Sequence, residues 1–499
     1  MGFDASVISG VVGFIEVEFA LSKLALGWSV ASLALAATFA MLVAGPLSDR
    51  FGRKPVLRVA AVLFAVSALA SALAPSFTAL VAARILGGLG VGAALIIAPM
   101  YIAEISPAKD RGRMVSMNQL NIVLGISAAF FSNYLLLGVG QSGSQLAQTL
   151  FIDEATWRWM LGIELLPAVL YFICISYVPE SPRWLAMRDR DTQAKEVLAR
   201  YNPPEQIGRE LQAIKASIAS DAARAAGGFR ELLAPSLRKV MLIGLVVAVM
   251  QQVTGINAIF FYAPMIFEQS GIGTDAAFMQ AVLVGLTNLV FTLLAMALID
   301  KLGRKPLLIL GGSGIVMCMM VLSWGFGQAT YSVSTETLTA LPQGLNTGLL
   351  TPLIGHTYDS DLAFKAVLHQ HLGESNALKF EAELLSAAIN INPGLILAGI
   401  LGFVACFAMS LGPVMWVLFS ELFPNRVRAV AISVVGLVNS SVSFLVQLLF
   451  PWQLANLGNS STFLSYGLFT LVGLVLIIFL LPETRGKSLE ELEHALVKA

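Results

Sequence analysis

The chain has 499 residues, of which 57% are hydrophobic and only 12% are charged, against about 25% charged residues in a typical soluble domain. Its 31 Lys and Arg residues balance its 31 Asp and Glu residues. Such a chain has too little polar surface for a soluble protein, lacks the basic face of a nucleic-acid-binding protein and is too apolar to be disordered. The composition therefore predicts an all-α membrane protein with many spans.

Twelve apolar segments approach the length of about 20 residues that a helix needs to cross a bilayer. Numbered as spans 1 to 12, they lie near residues 1–20, 29–48, 56–74, 77–99, 116–138, 159–178, 240–267, 279–299, 306–326, 394–419, 430–452 and 463–481. Twenty-six of the 31 Lys and Arg residues lie in the loops on one side. The positive-inside rule predicts that this side is cytoplasmic and that both termini lie there.

Two polar stretches interrupt the spans. Residues 183–238 together with the adjoining Lys239 carry 11 cations, and the stretch has helical spacing over 192–201 and 205–225, which predicts a cytoplasmic helical linker. Residues 327–393 are predicted to be external, with an amphipathic helix over 361–388. Four domains are predicted. They are an N-terminal six-helix bundle (residues 1–182), the linker (183–238), a C-terminal six-helix bundle that contains the external stretch (239–482) and a cytoplasmic tail (483–499).

The chain also repeats itself. The segment Asp49-Arg-Phe-Gly-Arg-Lys54 returns as Asp300-Lys-Leu-Gly-Arg-Lys305, at an offset of 251 residues, whereas Glu104 returns as Glu421 at an offset of 317. The larger offset identifies 327–393 as an insertion between spans 9 and 10. With the offset of 251 residues, position 1 corresponds to position 252. Span 7, the repeat partner of span 1, begins near residue 240, so we expect span 1 to be truncated at its N-terminus by about a dozen residues.

Charged residues duplicated at fixed spacing predict a cytoplasmic gate, because cations there can bind carboxylates when two bundles close. The alternative is that they only enforce topology. The predicted gate residues are Asp49, Arg50, Arg53, Glu104, Arg111, Glu180 and Arg183 in the first bundle, and Asp300, Arg304, Glu421, Arg428, Glu483 and Arg485 in the second.

Several motifs occur in the order of one known family. They are Gly2-Phe-Asp4 with Ile8-Ser-Gly10, the Asp49–Lys54 loop, Arg84-Ile-Leu-Gly-Gly-Leu-Gly-Val-Gly92, Pro99-Met-Tyr-Ile-Ala-Glu104, Pro179-Glu-Ser-Pro-Arg-Trp-Leu185, Gln251-Gln-Val-Thr-Gly-Ile-Asn257, Gly412-Pro-Val-Met-Trp416 and Pro482-Glu-Thr-Arg-Gly-Lys-Ser488. With them the chain resembles the sugar porters of the major facilitator superfamily, such as bacterial xylose– or galactose–proton symporters and glucose facilitators.

The resemblance implies proton-coupled import of a hexose or pentose across the cell membrane by alternating access. It also implies that the chain is not an enzyme, works as a monomer in the lipid bilayer, and needs no cofactor or metal besides the proton as coupling ion. Two other functions stay open. The first alternative is a passive sugar facilitator, and the second is a non-transporting sugar receptor built on a transporter scaffold.

Ionisable groups inside spans are expensive and point to function. Asp4, Arg84 and Glu164 are such groups, and the resemblance implies that Asp4 is the protonatable carboxylate, Arg84 its partner and Glu164 a second carboxylate that shares the arginine. The alternatives are a static ion pair and an Asp4 that lies near solvent at the frayed start of span 1.

Sugar recognition needs amides and an aromatic face. The positions that match the family are Gln119, Gln251, Gln252, Asn257, Asn288, Trp416 and Asn439. On a regular helix Gln251, Gln252 and Asn257 diverge, so we expect a bend near Gly255 to bring them together. The chain departs from the family at Ile126, Phe261, Ser440 and Ala429, and the first three changes put pentose and glucose specificity in doubt. In the insertion, His369 and His371 are spaced poorly for joint metal binding on a helix.

Overall fold

The computed structural model describes residues 1–107, 110–224, 231–232, 234–334, 338, 345, 347–424, 427–485 and 491. Within these residues, 11 helices are long and apolar enough to cross a membrane, and they correspond to spans 2 to 12. The uninterrupted ones are spans 2, 3, 4, 5, 8, 9, 11 and 12, at Lys23–Phe51, Arg53–Ala72, Phe77–Ile105, Arg111–Gln141, Thr274–Leu302, Arg304–Gly327, Arg428–Asn456 and Gly458–Leu480.

Four spans are interrupted. Span 1 consists of helix Gly2–Val7, the 3-10 turn Ile8–Gly10 and helix Val12–Glu18. Each of these elements is too short to count among the membrane-spanning helices by length. Spans 6, 7 and 10 are each two helices, at Thr156–Gly162 and Leu165–Tyr177, Arg238–Val253 and Ile256–Glu268, and Pro393–Met409 and Leu411–Leu422. Broken helices free backbone groups at membrane depth, so they are tolerated only where protein or a cavity satisfies those groups.

The break in span 1 is satisfied by span 5. The Nδ2 atom of Asn133 donates to the carbonyl oxygen of Val7 at 2.9 Å, and Gly10 leaves no room for a Cβ beside the Asn133 amide. Gly2 approaches the backbone of Ile122 equally closely. These contacts hold span 1 flat against span 5 despite its short helices.

The first half of the chain (residues 1–182) and the second half (residues 239–482) contact each other along two pairs of spans. Span 2 packs on span 11, and span 5 packs on span 8. Gly27, in the first turns of span 2, has no room for a Cβ beside the carbonyl of Leu448, and the hydroxyl of Ser127 donates to the carbonyl of Gly285 at 2.9 Å. Close backbone approach at small residues is typical of helix packing in membranes.

The linker forms three helices, at Pro182–Met187, Asp191–Leu198 and Pro204–Arg224. The last two overlap the helices expected at 192–201 and 205–225. Apolar side chains of all three form a small cluster with Ile105 at the end of span 4. The indole nitrogen of Trp184 donates to the carbonyl of Asp49 at 2.9 Å, so the linker packs against the first half of the chain.

The insertion has a fold of its own. The single amphipathic helix expected over 361–388 is two helices, Asp361–Leu372 and Glu374–Ala388, because Gly373 between them adopts a φ of 76°. Strands β1 (Thr330–Ser332), β2 (Thr357–Tyr358) and β3 (Ile389–Asn390) form an antiparallel sheet in the order β2-β1-β3, which no sequence pattern indicated. Among the described residues, the loops also contain the short helix Gln145–Thr149 and the 3-10 turns Pro235–Leu237 and Thr347–Leu353.

Candidate functional site

Two carboxyl groups and one guanidinium group are buried together in the first half. Asp4, Arg84 and Glu164 are 1%, 2% and 4% exposed. Nη1 of Arg84 lies 3.2 Å from Oδ1 of Asp4 and 3.1 Å from its carbonyl oxygen. The carboxyl of Glu164 interacts electrostatically with both Asp4 and Arg84. The structure therefore brings together all three charged residues predicted for proton coupling, and Asp4 is not near solvent.

Helix breaks and a glycine position this cluster. Asp4 sits in the first helix of span 1, and Glu164 sits between the two helices of span 6. Oδ2 of Asp4 faces Gly87 on span 4, where a Cβ would approach it to 3.2 Å. Within the described part of the chain, neither this Oδ2 atom nor Nε of Arg84 has a hydrogen-bond partner. Among these three side chains, two carboxylates beside one guanidinium carry a net negative charge, whereas one bound proton makes the three neutral.

The second half contains a network of amide side chains built around the break in span 7. Gly255 adopts a φ of 86°, a conformation that favours glycine, and separates helix Arg238–Val253 from helix Ile256–Glu268. The bend expected near Gly255 is thus present. It allows Nδ2 of Asn257 to donate to Oε1 of Gln252 at 2.8 Å.

Span 11 completes the amide network. Asn439 Nδ2 donates to Gln251 Oε1 at 2.8 Å, and Gln252 Nε2 donates to Asn439 Oδ1 at 3.1 Å. Asn257 Nδ2 also lies 2.7 Å from the hydroxyl oxygen of Ser443, which accepts a second bond from Gln447 at 2.8 Å. Four residues expected to bind sugar therefore meet in one place.

Sequence reasoning missed Ser443 and Gln447. With Asn439 they occur at every fourth position of span 11, so they form one polar stripe on a helix. That spacing was visible in the sequence and was the available signal. A second missed contact, between the hydroxyl of Tyr262 and the carbonyl of Gln447 at 2.9 Å, depends on the kink in span 7 and had no sequence signal.

Three of the expected sugar-binding residues lie apart from this network. Gln119 on span 5 is exposed, and Asn288 on span 8 is buried. Trp416 on span 10 is 51% exposed and stacks edge-on against Phe419 at 5.9 Å. Among the described residues, no hydrogen bond connects any of the three to the amides of spans 7 and 11.

The duplicated charged motifs form the same arrangement in both halves, at the cation-rich end. In the first half Arg53 binds Glu104 through two bonds of 2.9 and 3.0 Å, and it also contacts Asp49 at 2.8 Å. In the second half Arg304 binds Glu421 at 2.8 Å. Each of these pairs joins spans of the same half, so the contacts stiffen the end of each half.

A second carboxylate caps a helix in each cluster. Glu180 accepts bonds from the backbone nitrogens of Arg53 and Lys54, and Glu483 does the same at Arg304 and Lys305. These nitrogens begin spans 3 and 9, where unpaired N–H groups favour a carboxylate. The preceding Gly52 and Gly303 have φ values of 105° and 94°, and the carboxylate occupies the place of the missing Cβ.

The other predicted gate residues occupy varied positions. Arg183 lies 3.9 Å from Glu104, and Nε of Arg428 donates to the carbonyl of Phe423 at 3.0 Å. Arg50, Arg111 and Arg485 are exposed. The side chain of Asp300 lies outside the described part of the chain. The hydroxyls of Ser181 and Thr484, not expected to take part, donate to Glu104 and Glu421.

Known proteins resemble this chain over nearly its whole length. The family model described as sugar (and other) transporter matches residues 2–351 and 377–496, so its match is interrupted inside the insertion. The chain is 33% identical to the arabinose-proton symporter of Bacillus subtilis (strain 168), over 100% of this chain and 92% of that protein. It is 32% identical to the D-xylose-proton symporter of Escherichia coli (strain K12), over 99% of this chain and 92% of that protein.

Solved structures agree with the sequence relatives. The inward open conformation of the xylose transporter from E. coli matches with a TM-score of 0.74 at 30% identity, covering 99% of this chain and 96% of that one. The proton:xylose symporter bound to 6-bromo-6-deoxy-D-glucose matches with a TM-score of 0.68 at 32% identity, with the same coverage. The family consists of transporters rather than enzymes. The chain is a multi-pass membrane protein that belongs to the sugar transporter family of the major facilitator superfamily.

Proposed function

We propose that the protein is a secondary active transporter that imports a sugar, a hexose or a pentose, together with a proton by alternating access. The cation-rich end and both termini lie in the cytoplasm, and the insertion lies outside the cell. The protein works as a monomer, with the sugar and the lipid bilayer as its partners. The observation that carries the proposal is the buried cluster of Asp4, Arg84 and Glu164, in which two carboxyl groups interact with the Arg84 guanidinium group.

The cluster supports coupling through its charge balance. When Arg84 is paired with an ionised carboxylate, the second carboxyl is neutral only if it holds a proton. A rearrangement that changes the distance between Asp4 and Arg84 alters how strongly that proton is held. Span 1 is suited to such a rearrangement because its break lies directly after the helix that carries Asp4. The proton is the coupling ion, and the proposal requires no other cofactor.

The amide network supports a sugar as the transported molecule. Amide groups both donate and accept hydrogen bonds, as neutral hydroxyl groups do. Gln252, Asn257 and Asn439 bond to one another, so these polar groups satisfy each other. A sugar exchanges those bonds for its own, which keeps binding moderate and release possible. Gln119, Asn288 and Trp416 complete the proposed site when the halves close on the sugar.

Relatives narrow the choice of sugar to test. They are named for transport of arabinose, xylose and glucose. The departures at Ile126, Phe261 and Ser440 remove polar or aromatic contacts and argue against assuming any one of these.

The decisive experiment is uptake of labelled L-arabinose, D-xylose and D-glucose into proteoliposomes, with and without an imposed pH gradient. We expect one sugar to accumulate above its external concentration only when the outside is more acidic. Equilibration without accumulation would identify a passive facilitator. Binding of a sugar without any movement would identify a receptor, and failure of every sugar to bind or move would refute the substrate class.

A further inference from the structure

The insertion reaches across from the second half of the chain to the first. Its helix Glu374–Ala388 places Oε1 of Glu381 at 3.6 Å from Nζ of Lys23. Lys23 is the first residue of span 2, on the opposite side of the boundary between the halves. Both side chains are largely shielded, at 19% exposure for Lys23 and 12% for Glu381.

The insertion is fixed firmly to the second half. The carboxylate of Asp361 accepts a bond of 3.2 Å from the backbone nitrogen of Asn459, at the start of span 12. The hydroxyl of Ser386 lies 3.4 Å from the carbonyl of Ile272, just before span 8. Inside the insertion, Tyr331 stacks on Phe364 within a separate apolar cluster. The insertion therefore moves with the second half as one body.

Each charge of the crossing pair also has a partner on its own side. Lys23 bonds Glu16, at the end of span 1, at 2.6 Å. Glu381 lies 3.8 Å from Nζ of Lys365 and 3.7 Å from Nε2 of His369, both on the preceding helix of the insertion. When the halves separate at this end, neither charge loses all of its partners, so breaking the crossing pair costs little and is reversible.

Other contacts between the halves surround the crossing pair. Trp28 meets Phe444 edge-on at 6.0 Å, and Gly27 packs on the backbone of Leu448 one turn of span 2 after Lys23. These contacts must part for a substrate to enter from this end. The charged pair thus sits at the rim of the interface that opens and closes.

We propose that the insertion acts as an external latch, in which its residues Lys365, His369 and Glu381 meet Glu16 and Lys23 of the first half and stabilise the conformation closed to the outside. This inference rests on the alternating access of the proposed function. The latch is specific to the insertion, part of which (residues 352–376) lies outside the match to the family model. Its role is to adjust the balance between outward-facing and inward-facing states without touching the sugar.

The test measures the separation of the halves directly. The exposed residues Gln145 and Asp275 lie at the external end of the first and second half, respectively. Both are replaced by Cys and spin-labelled in full-length protein in which Cys174, Cys318 and Cys406 are changed to Ala. Double electron–electron resonance spectroscopy in lipid nanodiscs, without sugar, then reports the populations of short and long distances between the two spin labels.

We expect Glu381→Gln to raise the ratio of long to short distances by about twofold to fivefold, the range for a partly exposed ion pair. Lys23→Gln should do the same, and the double variant should shift the ratio no further than either single variant. The matched control is Asp359→Asn, an exposed acidic residue of the same insertion, which should leave the ratio unchanged.

The outcomes separate the latch from the transport function. If both distances are populated but Glu381→Gln behaves like the control, or if the two single effects simply add, the latch is refuted and alternating access stands. If every variant shows a single distance, both the latch and alternating access are refuted. Retention of a single species on gel filtration shows that each variant is folded.

Discussion

The most informative perturbation is Asp4→Asn. The amide has nearly the same shape as the carboxyl, and the bond from Arg84 to the backbone carbonyl of residue 4, at 3.1 Å, is unaffected. We expect Glu164, which interacts electrostatically with Arg84, to become its counter-ion in the variant, so that Arg84 is not left as an unpaired buried charge. What the variant loses is the second carboxyl, which is the group that takes up a proton in the proposed mechanism.

The size of the effect follows from one proton per sugar. Moving one elementary charge across a membrane potential of 100 mV yields about 2.3 kcal/mol, and about 1.36 kcal/mol corresponds to a tenfold ratio. One coupled proton therefore supports about 50-fold accumulation of sugar. We expect Asp4→Asn to reduce accumulation from about 50-fold to equilibrium, while exchange of labelled for unlabelled sugar continues.

The assay is uptake of labelled sugar into proteoliposomes, with an imposed potential for accumulation and without one for exchange. The matched control is Asp153→Asn, an exposed acidic residue between spans 5 and 6, which should transport as the unchanged protein does. Accumulation that persists in Asp4→Asn would refute the coupling role. Loss of both accumulation and exchange would instead assign Asp4 to the architecture of span 1.

Three further predictions concern the remaining sites. Asn257→Ala removes the amide that bonds both Gln252 and Ser443 and should weaken sugar binding about tenfold, or about 1.4 kcal/mol, by titration calorimetry. Unchanged affinity would remove Asn257 from the site. Gly255→Ala forces a Cβ at positive φ to within 3.2 Å of the Tyr466 ring. It should lower the free energy of unfolding by at least about 1 kcal/mol in a thermal unfolding experiment. Gly436→Ala, which has open space around its Cβ, should leave the free energy of unfolding unchanged. Glu180→Gln weakens the cap of span 3 by about 1 kcal/mol, and Glu483→Gln should lower the melting temperature equally if the two clusters are equivalent.

The sequence by itself determined the features that depend on local composition and repetition. Apolar length marked spans 2 to 12, and the change of repeat offset located the insertion. Buried charge identified Asp4, Arg84 and Glu164, because an ionisable group within an apolar run has few structural uses. The bend near Gly255 was also predictable, since three amides on a regular helix could not otherwise converge, whereas its left-handed conformation came from the structure.

Only the tertiary structure decided how these pieces meet. Arg53 and Glu104 are 51 residues apart, and their pairing within one half depends on how spans 2, 3 and 4 pack. The short strands of the insertion have too few residues for a periodic pattern, and their pairing is long-range. The contact between Lys23 and Glu381 joins residues of different halves. No local pattern encodes such a pair, because its distance is set by the docking of two bodies rather than by the sequence around either charge.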